Sequence, residues 1–312
     1  MIGAYRHIAD TSGKWQTADV SDTGSTPLIG VDIPTAAGDG ADPVAAARWA
    51  ERLGFDFVSA SDHPGDAGPS LETWTMLTWI AAHTTRVRIA TRVLGLPFRP
   101  PAIVAKMATT LADLSGGRLV LGLGAGASDP EIASLGLPTR TPREKVDALD
   151  EAIQVIRGLW TRPGFTFSGT AFHVTRADLE PKPAQPIPVW LGTFGPRALA
   201  LTGRLADGWI PSSSYAPPET IPAMFDRIDT AAERAGRDPA AITRIYNVEV
   251  RVGTRAADVP GAVTGAPAAI AEQLLGFLAL GFDGVNLKVG GPDGTSAVEL
   301  LAQEVLPALR AA

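Results

Sequence analysis

From Leu28 onward, short runs of apolar and β-branched residues alternate with longer stretches in which apolar positions recur every three or four residues. The short runs suit strands buried on both faces and the longer stretches suit helices with one buried stripe, so the alternation predicts parallel βαβ units. Eight runs read as strands: 28–33, 55–60, 87–94, 118–123, 188–191, 208–211, 242–252 and 285–289. Eight strands close a (β/α)8 TIM barrel, which predicts one domain over 28–312 preceded by an arm, 1–27, whose role the pattern leaves open.

Helix starts are marked by a capping side chain placed before a proline, as in Asp42-Pro43 and in Thr141-Pro142-Arg143-Glu144, which is also a capping box. Behind the second, Val146, Leu149, Ile153, Ile156 and Leu159 recur at helical spacing. Leu53-Gly54-Phe55-Asp56 and Leu280-Gly281-Phe282-Asp283 echo each other, each ending a helix on glycine and opening an apolar strand. The segment 163–188 interrupts the alternation, and 165–172 within it predicts a small hairpin inserted between strands four and five.

Composition narrows the function classes. Hydrophobic residues make up 45% and charged residues 19% of the 312, enough for a large core. The net charge of -6 provides no reason to bind nucleic acid or an anionic membrane. Absence of cysteine removes disulfides, thiolate metal sites and cysteine nucleophiles, and fits a cytoplasmic protein. No segment has the length of a membrane span, and the amino terminus has no signal-like apolar stretch. His7, His63, His83 and His173 include no pair at metal-ligand spacing, so no metal site is expected.

In such a barrel the site lies at the carboxyl ends of the strands. His63 ends strand two beside Asp62, and an imidazole can both give and take a proton, which makes it the candidate proton-transfer group; a histidine bonded locally in its loop is the plainer reading, and Asp62 read plainly caps a turn. Gly122, Gly124 and Gly126 allow close backbone approach after strand four but lack the dinucleotide-fingerprint spacing. Gly192-Thr193-Phe194-Gly195-Pro196 leads into a helix whose first amides suit a phosphate, or equally form an ordinary capped turn. Arg92 and Lys288 place cations at strand ends, to meet an anionic ligand or to pair with carboxylates. Trp74, Trp79, Trp190 and Trp209 are expected to pack in the barrel or at a subunit interface.

These motifs, taken in order, resemble the luciferase-like monooxygenase superfamily and, within it, the branch dependent on the deazaflavin coenzyme F420. The likeness spans about 28–309. It rests on Ser61-Asp62-His63-Pro64, on 97–106, on Leu114-Ser115-Gly116-Gly117-Arg118 running into 121–126, and on Leu159-Trp160, Pro181-Lys182-Pro183, Val189-Trp190-Leu191-Gly192 and Ala206-Asp207-Gly208-Trp209. The resemblance implies Asp62 and His63 beside the deazaflavin ring, a non-prolyl cis peptide at Arg92-Val93 buttressing it, and the cofactor's phosphate at Gly192, Thr193, Phe194, Gly195 and Pro196.

It further implies hydride exchange with a small organic substrate, in a protein that often forms a homodimer. Related sugar-phosphate dehydrogenases carry a glutamate where this chain has Ala127, which implies a different substrate. Two alternatives keep the fold: an FMN-dependent monooxygenase using oxygen, and a non-catalytic flavin-binding barrel.

Overall fold

The computed structural model describes residues 26–38, 41–65, 68–253, 259, 261–291 and 294–312, together with the backbone of 5–9 and 15–19. The barrel strands are β1 Leu28–Asp32, β2 Phe57–Ala60, β3 Arg88–Thr91, β4 Leu119–Gly124, β5 Val189–Leu191, β6 Gly208–Trp209, β7 Thr243–Val252 and β8 Gly284–Val289. Each pairs in parallel with the next, β8 returns to β1, and β4–β5 pairing completes the closed sheet. The intervening helices are α1 Pro43–Leu53, α2 Thr73–His83, α3 Pro101–Leu114, the short α4 Asp129–Ser134, α5 Pro142–Thr161, α6 Pro196–Leu205, α7 Ile221–Arg234 and α8 Pro267–Ala279. Of the predicted arm, Tyr5–Ala9 and Trp15–Asp19 pair antiparallel, and most of its remaining residues lie outside the described residues.

Alternation along the strands divides the core in two. Phe57, Ala90, Val120, Trp190, Ile210 and Ile245 form one cluster, contributed by successive strands, that fills the barrel. The other residues of those strands, such as Val58, Ile89 and Leu121, pack with the helices in the larger cluster. Gly30 is required here: a Cβ on it would lie 2.1 Å from the Phe57 ring.

The predicted helix signals operate as read. Asp42 accepts from the Ala45 amide at 2.8 Å, and Thr141 and Glu144 form the reciprocal capping box. Both echoed glycines, Gly54 at φ 91° and Gly281 at φ 110°, adopt the positive φ that lets a helix turn into a strand.

Two expectations need correction. The predicted strand 87–94 is two pieces: β3 stops at Thr91, Arg92-Val93 is a cis peptide, and Leu94–Gly95 resumes pairing against Leu123 and Gly124. The inserted hairpin is real, but 165–172 supplies only its first strand, Phe165–Ser168, and the turn; the second strand is His173–Ala177. Glu151 on α5 holds that turn by accepting the amides of Thr170, Ala171 and Phe172 at 2.7, 2.8 and 2.9 Å. Trp74, Trp190 and Trp209 are buried, whereas Trp79 is 61% exposed on α2. Among the described residues, no helix is long and apolar enough to cross a membrane.

Candidate functional site

One cavity of about 1080 Å³ opens at the carboxyl ends of the strands. Asp62, His63, Arg92, Val93, Gly124, Gly126, Gly192, Thr193, Phe194, Gly195 and Pro196 all line it, as does Lys288. Chain segments distant in sequence therefore converge on one space, because parallel strands deliver all their carboxyl ends to the same face. The loops 128–140 and 212–218 contribute lining residues, while Asp66 and Ala67 in the loop 66–70 lie outside the described residues.

The floor rests on a run of polar side chains, of which Arg92, Asn247 and Ser212 line the cavity. Arg92 donates to Asp32 Oδ1 from Nε at 3.1 Å and from Nη2 at 2.8 Å. Ser59 Oγ lies 3.5 Å from the same oxygen and donates to Asn286 Oδ1 at 3.0 Å. Asn286 Nδ2 donates to Asn247 Oδ1 at 2.8 Å, and Asn247 Nδ2 to Ser212 Oγ at 2.8 Å. Six side chains from six neighbouring strands thus form an ion pair, Arg92–Asp32, and a hydrogen-bonded run, Ser59–Asn286–Asn247–Ser212, that meet at the Ser59–Asp32 contact. Of the two readings of Arg92, pairing with a carboxylate is the one the structure realises. Lys288 likewise lies 3.8 Å from Glu249.

Asp62 and His63 part company. The Asp62 side chain, 1% exposed, accepts from the Gly95 amide at 2.9 Å and from Arg99 at 2.7 and 3.2 Å. Arg99 also bonds Glu72, the N-cap of α2. Burial would raise the Glu72 carboxyl, but hydrogen bonds from Thr75, Trp74 and Arg99 outweigh it and hold it below the usual carboxylate range. Asp62, drawn into these bonds with Gly95 and Arg99, is not the partner of His63. His63 Nδ1 instead lies 2.9 Å from Glu131 Oε2, on α4, with the His63 side chain 51% exposed.

Two of the strand-four glycines make room for protein, while Gly124 and Gly126 also line the cavity. A Cβ on Gly122 would lie 1.9 Å from the Thr91 carbonyl oxygen, and one on Gly124 would lie 2.6 Å from Val93 Cγ2. The Val93 side chain, carried inward after the cis bond, occupies the volume that a larger residue at 124 would need.

The β5–α6 turn is open. The N-cap Gly195 offers no side-chain acceptor, Pro196 has no N–H, and Leu199 is the residue whose amide closes the first helical bond, to Gly195 O at 2.9 Å. The amides of Arg197 and Ala198 have no acceptor within the helix, and both residues line the cavity at the positive end of the helix dipole. The Thr193 side chain turns away: Thr202 donates to Ala198 O, so the Thr193 hydroxyl, 2.7 Å from Thr202 Oγ1, gives its proton there. Phe194 packs on Tyr215 with ring centroids 5.1 Å apart, and Tyr215 remains 66% exposed.

Asp32, Ser59 and Asn247 carried no strand-end signal, and Glu131 carried none that linked it to His63. Asp32, Asn247 and Asn286 lie within their predicted strands, where a polar residue among apolar ones was the available clue.

The family model described as luciferase-like monooxygenase matches residues 25–271. An F420-dependent glucose-6-phosphate dehydrogenase of Nakamurella multipartita is 34% identical over 212 residues, covering 66% of this chain and 62% of that protein. The chain thus matches about three fifths of the length of such curated relatives. A protein of the same description from Intrasporangium calvum is 28% identical over 315 residues, covering 84% of this chain and 92% of its own. Among solved structures, an F420-dependent secondary alcohol dehydrogenase in complex with an F420–acetone adduct superposes with a TM-score of 0.83 at 22% identity, covering 92% of this chain and all of that one; at this identity the likeness establishes the fold.

Proposed function

The chain belongs to the luciferase-like monooxygenase family, and we propose that within it this protein is an F420-dependent oxidoreductase that exchanges hydride with a small organic substrate. The observation that carries the reading is the convergence of the loops starting at Asp62, Arg92, Gly124 and Gly192 on one cavity. Relatives named as F420-dependent dehydrogenases add weight to this choice of cofactor over FMN.

The residues present fit such a group. A cavity of about 1080 Å³ has room for a tricyclic ring and a substrate. Val93, flanked by Gly124 and Gly192, supplies an apolar wall beside the cis peptide, and Gly126 lines the same side. The uncapped first turn of α6, with Gly192, Thr193, Phe194, Gly195 and Pro196 leading into it, offers backbone donors and a helix dipole to a phosphate. When bound, the deazaflavin supplies the hydride chemistry.

The chain supplies the rest. The polar floor fixes Arg92 and Ser212 through shared hydrogen bonds, so the cavity keeps its shape without a ligand to order it. Asp62 positions the Leu94–Gly95 segment and Arg99 rather than exchanging protons. His63, half-exposed at the wall, is the group that gives or takes the substrate proton. With Ala127 in place of the carboxylate of the sugar-phosphate enzymes, the substrate is a small molecule other than that sugar phosphate. A homodimer through the face bearing the exposed Trp79, Ile103 and Leu114, and a cytoplasmic site of action, complete the proposal.

Titration of the purified protein with F420 and, separately, with FMN tests the cofactor. Saturable F420 binding with weak or no FMN binding is expected, together with no turnover of glucose 6-phosphate. Tight FMN binding without affinity for F420 would overturn the reading.

A further inference from the structure

The carboxylate missing at Ala127 has a counterpart four residues on, held differently. Glu131 Oε2 lies 2.9 Å from His63 Nδ1, and Glu131 Oε1 accepts the Gly65 amide at 3.1 Å. Its side chain is only 9% exposed, and among the described residues its one ion-pair partner is His63; the neighbouring Asp129 pairs with Lys145 instead. The Glu131 amide is in turn held by Ser128 Oγ at 3.3 Å, which fixes the turn that presents the carboxylate. Among the described residues, His63 Nε2 has no protein partner, and His63 lines the main cavity on one side and a smaller one, with Gly65, Ser128 and Ser134, on the other.

An ionised carboxylate only accepts hydrogen bonds, so the nitrogen facing it must carry a proton. We propose that Glu131 is the positioning residue of this site: it holds His63 in the Nδ1–H form, so that the neutral ring presents the Nε2 lone pair to the substrate and the charged ring presents Nε2–H. A proton leaving the substrate breaks its bond to the substrate heteroatom, which keeps the electron pair, and forms the Nε2–H bond. The imidazolium so made already has a carboxylate at hydrogen-bond distance on its far side, which is the orienting logic of histidine–carboxylate pairs in general. The role rests on the oxidoreductase reading above, whereas the tautomer does not, and this separates the two failures.

The test begins on the protein without cofactor. Two-bond ¹H–¹⁵N correlation spectra of ¹⁵N-histidine-labelled protein, recorded with the rings neutral, report which nitrogen of His63 is protonated; a His63→Ala sample assigns its signals among the four histidines. Wild type is expected in the Nδ1–H form. Glu131→Ala and the isosteric Glu131→Gln, which keeps one acceptor oxygen for two donors, are expected to move the ring toward the Nε2–H form that dominates in free histidine. Ser128→Ala, which removes the cap but not the carboxylate, is expected to leave the tautomer in place.

In turnover, Glu131→Ala should lower kcat roughly 100-fold while changing F420 affinity less than about twofold. A wild-type His63 in the Nε2–H form, or variants that keep Nδ1–H, would overturn the proposal whatever cofactor binds. Failure to bind F420 with the tautomer as expected would count against the oxidoreductase reading alone. An equal fall in kcat for Ser128→Ala and Glu131→Ala would reduce Glu131 to a structural residue of the turn.

Discussion

The floor and the rim of the cavity are built on opposite terms. In the floor, Arg92 pairs with Asp32, Ser59, Asn286, Asn247 and Ser212 bond one to the next, and Asp62 takes three hydrogen bonds from Arg99 and the Gly95 amide. At the rim, His63 has a ring nitrogen without a partner among the described residues, α6 begins without a side-chain cap, and Tyr215 presents its ring to solvent. The floor gains little from a ligand and loses much if one member is removed. The rim is left incomplete, so a bound molecule supplies what the protein does not. Asp62 and His63, adjacent in sequence, fall on opposite sides of this division.

That contrast breaks if the two neighbours respond alike. Asp62→Ala removes the main partner of a guanidinium that is only 13% exposed, and breaking a buried pair costs about 3–5 kcal/mol. Because Arg99 keeps Glu72, a loss near the low end, about 3 kcal/mol, is expected in urea unfolding monitored by circular dichroism. His63→Ala should leave that unfolding curve within about 1 kcal/mol of wild type, since its side chain is half-exposed, yet lower kcat by about 10²–10⁴-fold. Equal stability losses in the two variants, or an unchanged kcat in His63→Ala, would erase the distinction between floor and rim.

The barrel was legible because strands buried on both faces read as continuous apolar runs, and the boundaries between them carry helix caps whose chemistry is local: Asp42 reaches three residues and Thr141 three. Strand ends are equally visible, which is why His63, Arg92, Gly124 and Gly192 stood out. What joins them was not. Glu131 is 68 residues from His63, Arg99 is 37 from Asp62 and Asn286 is 227 from Ser59, so each pairing exists only once the sheet has closed. The glycines of 122–126 are a mixed case. Their sequence signals close approach, but only the fold reveals that Val93 and the Thr91 carbonyl are what a Cβ at 124 or 122 would meet.

Gly124 sharpens the comparison at the boundary between the two regions, with a smaller expected effect. A Cβ there would stand 2.6 Å from Val93 Cγ2, so Gly124→Ala must displace a side chain next to the cis peptide. Overpacking of this kind costs about 1–3 kcal/mol, and here it should also weaken F420 binding, because Val93 is the wall proposed to face the ring. Calorimetric Tm and the F420 titration on the same sample check both effects. A drop in Tm with unaltered F420 affinity would leave Val93 as floor, with no part in binding.

The smallest effect expected is at Glu72, where floor meets solvent. Its carboxyl is held below the usual range, with burial opposed by hydrogen bonds from Thr75, Trp74 and Arg99, so the folded protein favours the ionised form more than the unfolded chain does. A lowered folded-state pKa contributes stability above the unfolded value, near 4.5, that is lost as pH falls through the folded value. Because the side chain is 41% exposed, solvent screening keeps this contribution below about 1 kcal/mol. Glu72→Gln should therefore be slightly less stable than wild type at neutral pH and indistinguishable from it well below the carboxylate range, measured by urea unfolding at each pH. A difference that persisted in acid would mean that Glu72 acts through the geometry of the α2 cap rather than its charge, and the ion-pair chain from Asp62 would then end at Arg99.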